Sequence, residues 1–541
     1  MEAYPQSTVH ALLAACERRP EHPFLLFEGR SWSFAEVREA AAAWAGLYRT
    51  RGLATGDRVA LFLGNAPEFV AAYLGAHMAG AIVVLVNTAY RHTELRHILA
   101  DSGARVVVTE EQLLPGVAGL RGDLPELTDI LVSTPRPMHP EPKHGAWCMV
   151  HSEDVALIGY TSGTTGRSKG AMLTHGNLMA NSAAVTRAWR WTADDRLLLA
   201  LPLFHIHGLG VGLHGALLTG STVDLRRGFD AAEVLATLAR GETTMFFGVP
   251  TMYTRLIQEA RRRTEERSPK TEDGVGRDDA PRSSVLGPRS PVRLFVSGSA
   301  PLAPQTFAEF EALFGQRILE RYGMTETVMN LTNPYDGERR PGTVGVPFPG
   351  QEARVVDVRT RAPLPDGEVG EIQVRGPHVF KGYWRNPAAT AEAFDPEGWF
   401  NTGDLGWRSP DGYFSISGRA RELIISGGYN IYPREVEKVL ERHPLVAEVA
   451  VLGLPDAEFG ELVAAVVVLS AACRLQLAAC DEEQRQSLMF DLQSGMIDWC
   501  REHLASYKKP RRVVFVDALP RNALGKVQKH LLRERLTSPD L

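Results

Sequence analysis

The sequence has few cysteines, no long apolar run and no strong excess of either charge. Its 541 residues include five cysteines, an odd number without C-x-x-C spacing or a neighbouring histidine pattern, so we expect free thiols and no cysteine-based metal site. Apolar runs such as Ile82–Val86 are far shorter than the roughly 20 residues that span a bilayer. The N-terminus lacks the charged-then-apolar pattern of a signal peptide. These absences predict a cytoplasmic protein without a transmembrane segment.

The formal net charge of -5 is spread along the chain without a basic block. Nucleic-acid-binding proteins usually present a clustered Lys/Arg face, so we expect no nucleic-acid partner. Hydrophobic residues make up 44% of the sequence, and single cores stop growing near about 250–300 residues. The chain is therefore expected to form at least two domains.

The hydrophobic pattern changes twice along the chain. Between about residues 31 and 223, amphipathic stretches alternate with short apolar runs, the rhythm of helix and strand in parallel sheets. Beyond Gly350 the segments are short and alternating, with Asp-Gly turns typical of a β-rich subdomain, and after Gly418 the pattern predicts a small α+β domain. The predicted fold class is α/β.

Two stretches stand apart from this pattern. Residues 261–290 are almost all Arg, Glu, Ser, Pro, Asp and Gly, and such a composition cannot bury enough apolar surface to offset its ordering entropy. We expect a flexible insertion there; contact of its basic residues with a partner or lipid is the alternative, which the interleaved acids disfavour. The segment 471–496 is also expected to lie at the surface.

Residues 160–170 form the strongest motif, which reads YTSGTTGRSKG after an apolar run. Glycines let backbone N–H groups approach a polyphosphate, hydroxyls donate to its oxygens, and Lys169 supplies positive charge. The spacing does not fit G-x-x-x-x-G-K-[ST], so this is not a Walker loop. A Gly-rich turn with a solvated lysine is the alternative, which the density of hydroxyls and glycines disfavours. The motif predicts a nucleotide-phosphate site.

This loop resembles the phosphate-binding signature of the adenylate-forming superfamily, which contains acyl-CoA synthetases, firefly-type luciferases and the adenylation domains of peptide synthetases. Further family motifs follow in order over nearly the whole chain, at residues 322–327 (YGMTET), 402–404 (TGD), 418–424 (GRARELI) and 520–526 (PRNALGK). The resemblance implies a ligase that uses ATP to make an acyl-adenylate from a carboxylic acid and then passes the acyl group to coenzyme A.

The resemblance also assigns a nucleotide-binding set. Tyr322 would stack on adenine, Thr325 would contact the α-phosphate, and Asp404 would accept the two ribose hydroxyls. Arg419 would contact ribose or phosphate. By itself, the T-G-D tripeptide that contains Asp404 is most often a turn. The full set is Thr161, Ser162, Gly163, Thr164, Thr165, Gly166, Lys169, Ser299, Ala300, Tyr322, Gly323, Met324, Thr325, Asp404, Arg419 and Lys526.

Four residues are assigned to catalysis by the same resemblance, namely Lys526, Glu326, His207 and Thr165. Glu326 and Thr165 would hold Mg²⁺, a hard cation that takes oxygen ligands. Lys526 would offset negative charge at the pentacovalent phosphorus. Taken alone, Glu326 is more typical of a surface or capping acid and Lys526 of a surface lysine, so the order of the motifs carries both assignments.

The resemblance places a hinge at residues 420–422, with Arg421 as pivot where many members have lysine or aspartate. The hinge would separate an ATP- and acid-binding domain, residues 1–419, from a small mobile domain, residues 423–541, that carries the catalytic lysine. Gly427, Gly428 and Tyr429 would line a coenzyme A tunnel, although the glycine pair also fits a plain tight turn. Lys508 and Lys509 beside Tyr507 suit the coenzyme A nucleotide or a solvated basic turn.

The acyl pocket is assigned to His207, Met252, Arg255, Ser299, Gly323 and Met329, with a structural histidine as the alternative at His207. The sequences of residues 319–350 and 525–529 most closely resemble the malonyl-CoA and methylmalonyl-CoA synthetase branch. A distal carboxylate needs a cation, since a buried unpaired charge costs several kcal/mol. Bacterial malonate enzymes often carry arginine in the helix after Ser-Gly-Ser-Ala, but this sequence has Phe307-Ala308-Glu309 there, which leaves Arg255 or Arg190.

The expected substrates are therefore malonate or methylmalonate, ATP and coenzyme A, in a monomer or homodimer. A short or medium-chain fatty acid, and adenylation for a standalone carrier protein, are the alternatives. An oxidative luciferase would share the motifs. A nucleotide sensor without turnover is disfavoured, because Lys169, Glu326, Asp404 and Lys526 are all present.

Overall fold

The structure is a computed structural model that describes residues 4–133, 148–161, 168–267, 285–287, 290–426, 429–456, 458–521 and 526–537, the side chains of residues 267, 421 and 430 excepted. The chain divides into two compact units. The first contains residues 1–353 and 373–401, and the second contains residues 354–372 and 402–541. The hinge at 420–422 and the domain limits drawn from it stay predictions.

The helices of the described residues are α1 Thr8–Arg18, α2 Phe34–Thr50, α3 Pro67–Met78, α4 His92–Ser102, α5 Leu114–Ala118, α6 His175–Ala188, α7 His214–Thr219, α8 Ala231–Ala239, α9 Pro250–Arg267, α10 Pro304–Phe314, α11 Pro387–Ala393, α12 Pro433–Leu440, α13 Ala471–Ala478, α14 Glu482–His503 and α15 Lys529–Thr537. The strands are β1 Pro23–Phe27, β2 Arg30–Ser33, β3 Arg58–Phe62, β4 Ile82–Leu85, β5 Val106–Thr109, β6 Asp129–Val132, β7 Val155–Thr161, β8 Lys169–Thr174, β9 Arg196–Leu199, β10 Thr222–Leu225, β11 Met245–Gly248, β12 Leu294–Ser297, β13 Leu319–Tyr322, β14 Leu331–Thr332, β15 Val346–Pro347, β16 Glu352–Val356, β17 Gly370–Arg375, β18 Gly382–Tyr383, β19 Phe400–Arg408, β20 Phe414–Arg419, β21 Ile424–Ser426, β22 Tyr429–Ile431, β23 Val446–Asp456, β24 Gly460–Leu469 and β25 Arg512–Phe515.

Two large sheets form the first unit. One has the strand order β18-β8-β7-β4-β3-β5-β6 and the other the order β15-β14-β13-β12-β11-β9-β10-β1-β2. Their central strands are parallel and buried on both faces, as their continuous apolar runs predict. Helix α3 is buried at every residue except Glu68, and a Cβ on Gly75 would come 2.5 Å from that of Trp44 in α2. The predicted α/β class is confirmed.

The second unit is built around a mostly antiparallel sheet of order β22-β21-β24-β23, with β25 parallel to β24. Successive residues of β23 point to opposite faces: Val449 and Val451 join one apolar cluster, whereas Ala450 and Leu452 join another. Helices α12 and α14 cover the first face and α15 the second. The unit also contains most of the sheet β16-β17-β19-β20.

The structure corrects the start of the expected insertion and bears on the second segment expected at the surface. Residues 261–267 are the last two turns of α9 rather than the start of an insertion, because Arg262 and Arg263 pair with Glu259 on the same helix face. Residues 268–284 and 288–289 lie outside the described residues. The segment 471–496 forms α13 and most of α14, and most of its residues are exposed, as predicted, while Cys473 and Met496 anchor it in the core of the second unit.

Two expectations about absences bear on the described part of the chain. There the helices include none that is both long and apolar enough to cross a bilayer. The five cysteines are free thiols, as their odd number and irregular spacing predict.

Candidate active site

The predicted phosphate loop connects two antiparallel strands of the seven-stranded sheet. β7 ends at Thr161, β8 begins at Lys169, and these two residues pair directly across the strands. The loop is therefore closed at its base by main-chain pairing. The loop residues predicted to bind phosphate, namely Ser162, Gly163, Thr164, Thr165 and Gly166, lie outside the described residues, and their roles stay predictions.

Glu326 lies beside the base of this loop and is 5% exposed. Its Oε1 accepts hydrogen bonds from the hydroxyls of Thr161 and Tyr383, at 3.2 Å each. Its main-chain oxygen accepts a hydrogen bond of 2.8 Å from the N–H of Phe380. A carboxylate held in this way suits Mg²⁺, which takes oxygen ligands. Sequence reasoning missed Tyr383, because it lies in the two-residue strand β18, too short for a pattern to indicate its place in the site.

The segment after β13 turns sharply and brings the predicted nucleotide-binding residues to the same place. A Cβ on Gly323 would come 2.0 Å from the carbonyl oxygen of Val328, so the turn has no room for a side chain. Tyr322 accepts a main-chain hydrogen bond of 2.9 Å from Asn330. Thr325 packs against β7, where a Cβ on Gly159 would come 2.5 Å from its methyl group. Thr325 therefore contacts β7 at Gly159, two residues before Thr161.

His207 and Ser299 form a second group in the first unit. His207 is 2% exposed, its Nδ1 lies 3.2 Å from the Ser299 hydroxyl, and its Nε2 has no hydrogen-bond partner among the described residues. Ser299 has φ +69°, a strained conformation for a residue other than glycine. Burial and the nearby Arg321 charge lower the pKa of His207 well below its ordinary value. His207 is therefore neutral at pH 7 and available as a hydrogen-bonding group.

Arg321 is the buried cation of this group, and sequence reasoning missed it. It lies at the end of β13 beside Gly298, where a Cβ would come 2.4 Å from its Cζ. It is 3% exposed, and its Nε and Nη2 are buried without a hydrogen-bond partner in the part of the chain that the structure describes. Burial lowers its pKa to about 9, which leaves it charged at pH 7. A buried guanidinium with two unused donors fits an anionic ligand.

The other predicted pocket residues have different surroundings. Met329 is buried, and Met252 is half-buried against the apolar core below β11. Ala300 and Met324, which were predicted to bind the nucleotide, are half-buried. Arg255 is exposed on α9, and Arg190 pairs with Asp336 at the surface, 2.6 Å apart. Their predicted part in binding a distal carboxylate has no support from burial, in contrast to Arg321.

Asp404 and Arg419 lie together in the second unit. They pair across β19 and β20, and the carboxylate accepts from the guanidinium at 2.7 Å. Asp404 is buried, and the turn before it is held by a hydrogen bond from the Gly403 N–H to Glu371, 3.0 Å long. An aspartate at a rigid turn is a suitable acceptor for a pair of hydroxyls, as predicted for ribose.

The lysine predicted to be catalytic and the residues predicted to line the coenzyme A tunnel also belong to the second unit. Lys526 is half-buried and follows residues 522–525, which lie outside the described residues together with Gly427 and Gly428. A bridge between Arg521 and Val527 closes the loop that carries Lys526. Tyr429 is exposed and stacks on Tyr507, with ring centres 4.5 Å apart. The side chain of the predicted pivot Arg421 lies outside the described residues.

Models of known protein families match two parts of the chain. The AMP-binding enzyme family matches residues 12–384. The C-terminal domain of AMP-binding enzymes matches residues 435–526. The first match includes the described residues around Glu326 and Arg321, and the second ends at Lys526.

Individual relatives extend over nearly the whole chain. The malonate–CoA ligase of Arabidopsis thaliana is 33% identical over 548 residues, which cover 95% of this chain and 86% of that protein. The sulfoacetate–CoA ligase of Cupriavidus necator is 36% identical over 536 residues, which cover 96% of each. A crystal structure of ATP-bound MatB from Rhodopseudomonas palustris is 38% identical, with a TM-score of 0.86 over 99% of both chains. The chain therefore belongs to the AMP-binding enzyme family and is an AMP-forming acyl-CoA ligase.

Proposed function

We propose that this ligase activates a short acid with a second anionic group, and that malonate or methylmalonate is its substrate. The observation that supports the proposal is Arg321, a buried guanidinium with two nitrogens that meet no hydrogen-bond partner within the described ranges. A buried charge without a partner costs several kcal/mol, so such an arginine is expected to meet an anion from the ligand. The carboxylate that reacts with ATP leaves the distal carboxylate of a dicarboxylic acid free to fill this role.

The chemistry of the neighbours agrees with such a ligand. His207 is neutral and adjoins Ser299, so both can hydrogen-bond to a carboxylate without adding charge. The Arabidopsis thaliana and Cupriavidus necator relatives are described as ligases of malonate and sulfoacetate, both short acids with a second anion. A long-chain-fatty-acid–CoA ligase of Bacillus subtilis is also a relative, 31% identical over 98% of this chain, so family membership by itself does not choose the acid.

In the proposed first half-reaction, a substrate carboxylate attacks the α-phosphorus of ATP and expels pyrophosphate. Two anions must meet, so the reaction depends on positive charge placed in advance. Lys169 would face the phosphates and Lys526 would stabilise charge at the reacting phosphorus. Glu326 and Thr165 would hold Mg²⁺, which supplies Lewis-acid charge to the phosphate oxygens.

In the proposed second half-reaction, the thiol of coenzyme A attacks the adenylate carbonyl and releases AMP. Rotation about residues 420–422, with Arg421 as pivot, would exchange the groups used in the two steps. Gly427, Gly428 and Tyr429 would border the thiol. The stacked Tyr429 and Tyr507 with Lys508 offer aromatic faces and positive charge to the nucleotide of coenzyme A.

A panel of acids tests the proposal, with AMP release measured in the presence of coenzyme A. Malonate or methylmalonate is expected to exceed butyrate and hexanoate by about 100-fold in kcat/KM, because each monocarboxylate leaves Arg321 unpaired. Butyrate or hexanoate well above malonate would instead indicate a short or medium-chain fatty acyl-CoA synthetase. Sulfoacetate above malonate would keep the second anion but change the acid.

A second assay separates coenzyme A from a carrier protein as acceptor. Malonate, ATP and coenzyme A alone should give malonyl-CoA at the rate of AMP release. If adenylate accumulates and AMP appears only slowly, a standalone carrier protein becomes the better acceptor. Gel filtration with light scattering would show whether the protein is a monomer or a homodimer, the two oligomeric states expected.

A further inference from the structure

The hydroxyl of Tyr383 lies at the junction of three functional segments in the first unit. It donates to Oε1 of Glu326 at 3.2 Å, and Thr161 donates to the same oxygen at 3.2 Å. The ring of Tyr383 lies 5.1 Å below Nζ of Lys169. One side chain therefore contacts both the carboxylate beside the phosphate loop and the lysine at the end of that loop.

The fold fixes the position of Tyr383 independently of any ligand. Strand β18 pairs antiparallel with β8, so that Tyr383 faces Ala171 two residues after Lys169. The ring of Phe380 meets that of Tyr383 edge to face at 4.9 Å. The Tyr383 N–H also donates to the hydroxyl of Thr390 at 2.9 Å. A tyrosine held by strand pairing, a ring contact and a main-chain bond can orient a flexible neighbour.

We infer that Tyr383 is a positioning residue that orients Glu326 as a magnesium ligand and fixes the direction of Lys169. The inference rests on the proposed function, in which Glu326 holds Mg²⁺. Hydrogen bonds to a ligating carboxylate set which oxygen faces the metal, and their loss lowers metal affinity or activity by about 10- to 100-fold. A cation above an aromatic face is attracted to the ring and loses side-chain freedom. Tyr383 supplies both effects from one side chain.

Two substitutions separate these effects. Tyr383→Phe removes the hydrogen bond to Glu326 and keeps the ring near Lys169, whereas Tyr383→Leu removes both. Tyr48→Phe is the matched control, because the buried Tyr48 hydroxyl on α2 donates to the carbonyl of Ala72 in α3 at 3.2 Å. Pyrophosphate release is measured against Mg²⁺ concentration with malonate and ATP, and thioester formation is measured separately from supplied malonyl-adenylate. Binding of Mn²⁺ in the presence of a non-hydrolysable ATP analogue is followed by electron paramagnetic resonance.

Tyr383→Phe is expected to raise the Mg²⁺ concentration at half-maximal adenylation by about 10-fold and to weaken Mn²⁺ binding by a similar factor. Thioester formation from supplied adenylate should stay within twofold of the unmodified enzyme. Tyr383→Leu should in addition raise the KM for ATP. Tyr48→Phe should change neither the Mg²⁺ dependence nor the KM for ATP.

An unchanged Mg²⁺ dependence and Mn²⁺ affinity in Tyr383→Phe would overturn the inference. So would an equal loss in both half-reactions, which indicates a structural role only. Glu326→Gln distinguishes this failure from a failure of the proposed function. If Glu326→Gln leaves the Mg²⁺ dependence intact, the metal site itself is wrongly assigned; if it abolishes the dependence while Tyr383→Phe does not, only the role of Tyr383 is wrong.

Discussion

Arg321 is the residue on which acid selectivity should depend. Arg321→Met removes the charge and leaves a shorter, unbranched apolar side chain, so malonate would enter a pocket without a cation. We expect kcat/KM for malonate to fall by at least about 100-fold, because one partner of a buried ion pair is lost. The activity with butyrate should fall far less or rise, because an apolar tail loses no partner. The ratio of the two kcat/KM values is the measurement.

Arg255→Met and Arg190→Met are the matched controls for this prediction. Both positions are exposed arginines of the same unit, and both were plausible partners of a distal carboxylate from sequence alone. Neither substitution should change the malonate-to-butyrate ratio by more than about twofold, since exposed charges contribute little. Loss of malonate selectivity in Arg255→Met but not in Arg321→Met would reverse the assignment.

At the scale of elements, Lys529 joins three parts of the second unit. It begins α15 and pairs with Glu437 of α12 at 2.7 Å and with Glu422 at 3.3 Å. Burial opposes its charge, but these carboxylates more than compensate and raise the pKa of Lys529. Burial would likewise raise the pKa of Glu437, yet Lys529 and Arg434 hold it below its ordinary value.

Lys529→Met should therefore destabilise the second unit by about 3 kcal/mol, because Glu437 is left buried with only part of its compensation. Lys529→Arg should recover most of this loss. Arg501→Met, which breaks an exposed ion pair with Asp498 on α14, should cost less than about 1 kcal/mol. Urea unfolding followed by circular dichroism measures all three, and equal costs for Lys529→Met and Arg501→Met would contradict the role given to this network.

At the scale of the molecule, a buried cluster of three histidines predicts acid sensitivity. His77, His175 and His214 are almost fully buried. The Thr8 hydroxyl lies 2.7 Å from Nδ1 of His77, and Tyr73 bonds to His214. Burial lowers the pKa of His77 to about 4 and that of His214 to about 3, and it lowers the pKa of His175 well below its ordinary value.

The unfolded chain binds protons at these histidines near pH 6.5, whereas in the folded chain the pKa is about 4 at His77 and about 3 at His214, and burial also lowers it at His175. The free energy of unfolding should therefore fall as the pH drops from about 6.5 towards 4, with a limiting slope of about 1.4 kcal/mol per pH unit for each histidine. Urea midpoints between pH 7.5 and 4.5 measure this. His77→Gln should reduce the slope and His92→Gln, at an exposed position, should not; a slope unaffected by His77→Gln would contradict the prediction.

Local composition and spacing were sufficient to predict the buried strands and the main motifs of this protein. Short apolar runs predicted the buried strands β3, β4 and β5, because strands of a sheet covered on both faces are apolar on both sides. The ordered motifs predicted that Thr161, Lys169, Thr325 and Glu326 belong to one site for the nucleotide and Mg²⁺. The structure brings these residues together in the first unit.

The burial of Arg321 and the neighbours of the Glu326 carboxylate became visible only in the folded structure. Arg321 stands in a short strand, and its sequence gives no sign that β12 buries it beside Gly298. Tyr383 lies 57 residues after Glu326 and reaches it because β18 pairs with β8. The end of α9 was missed because ion pairs along one face stabilise a helix whose composition resembles a loop. Contacts between distant segments depend on packing, and no local pattern records them.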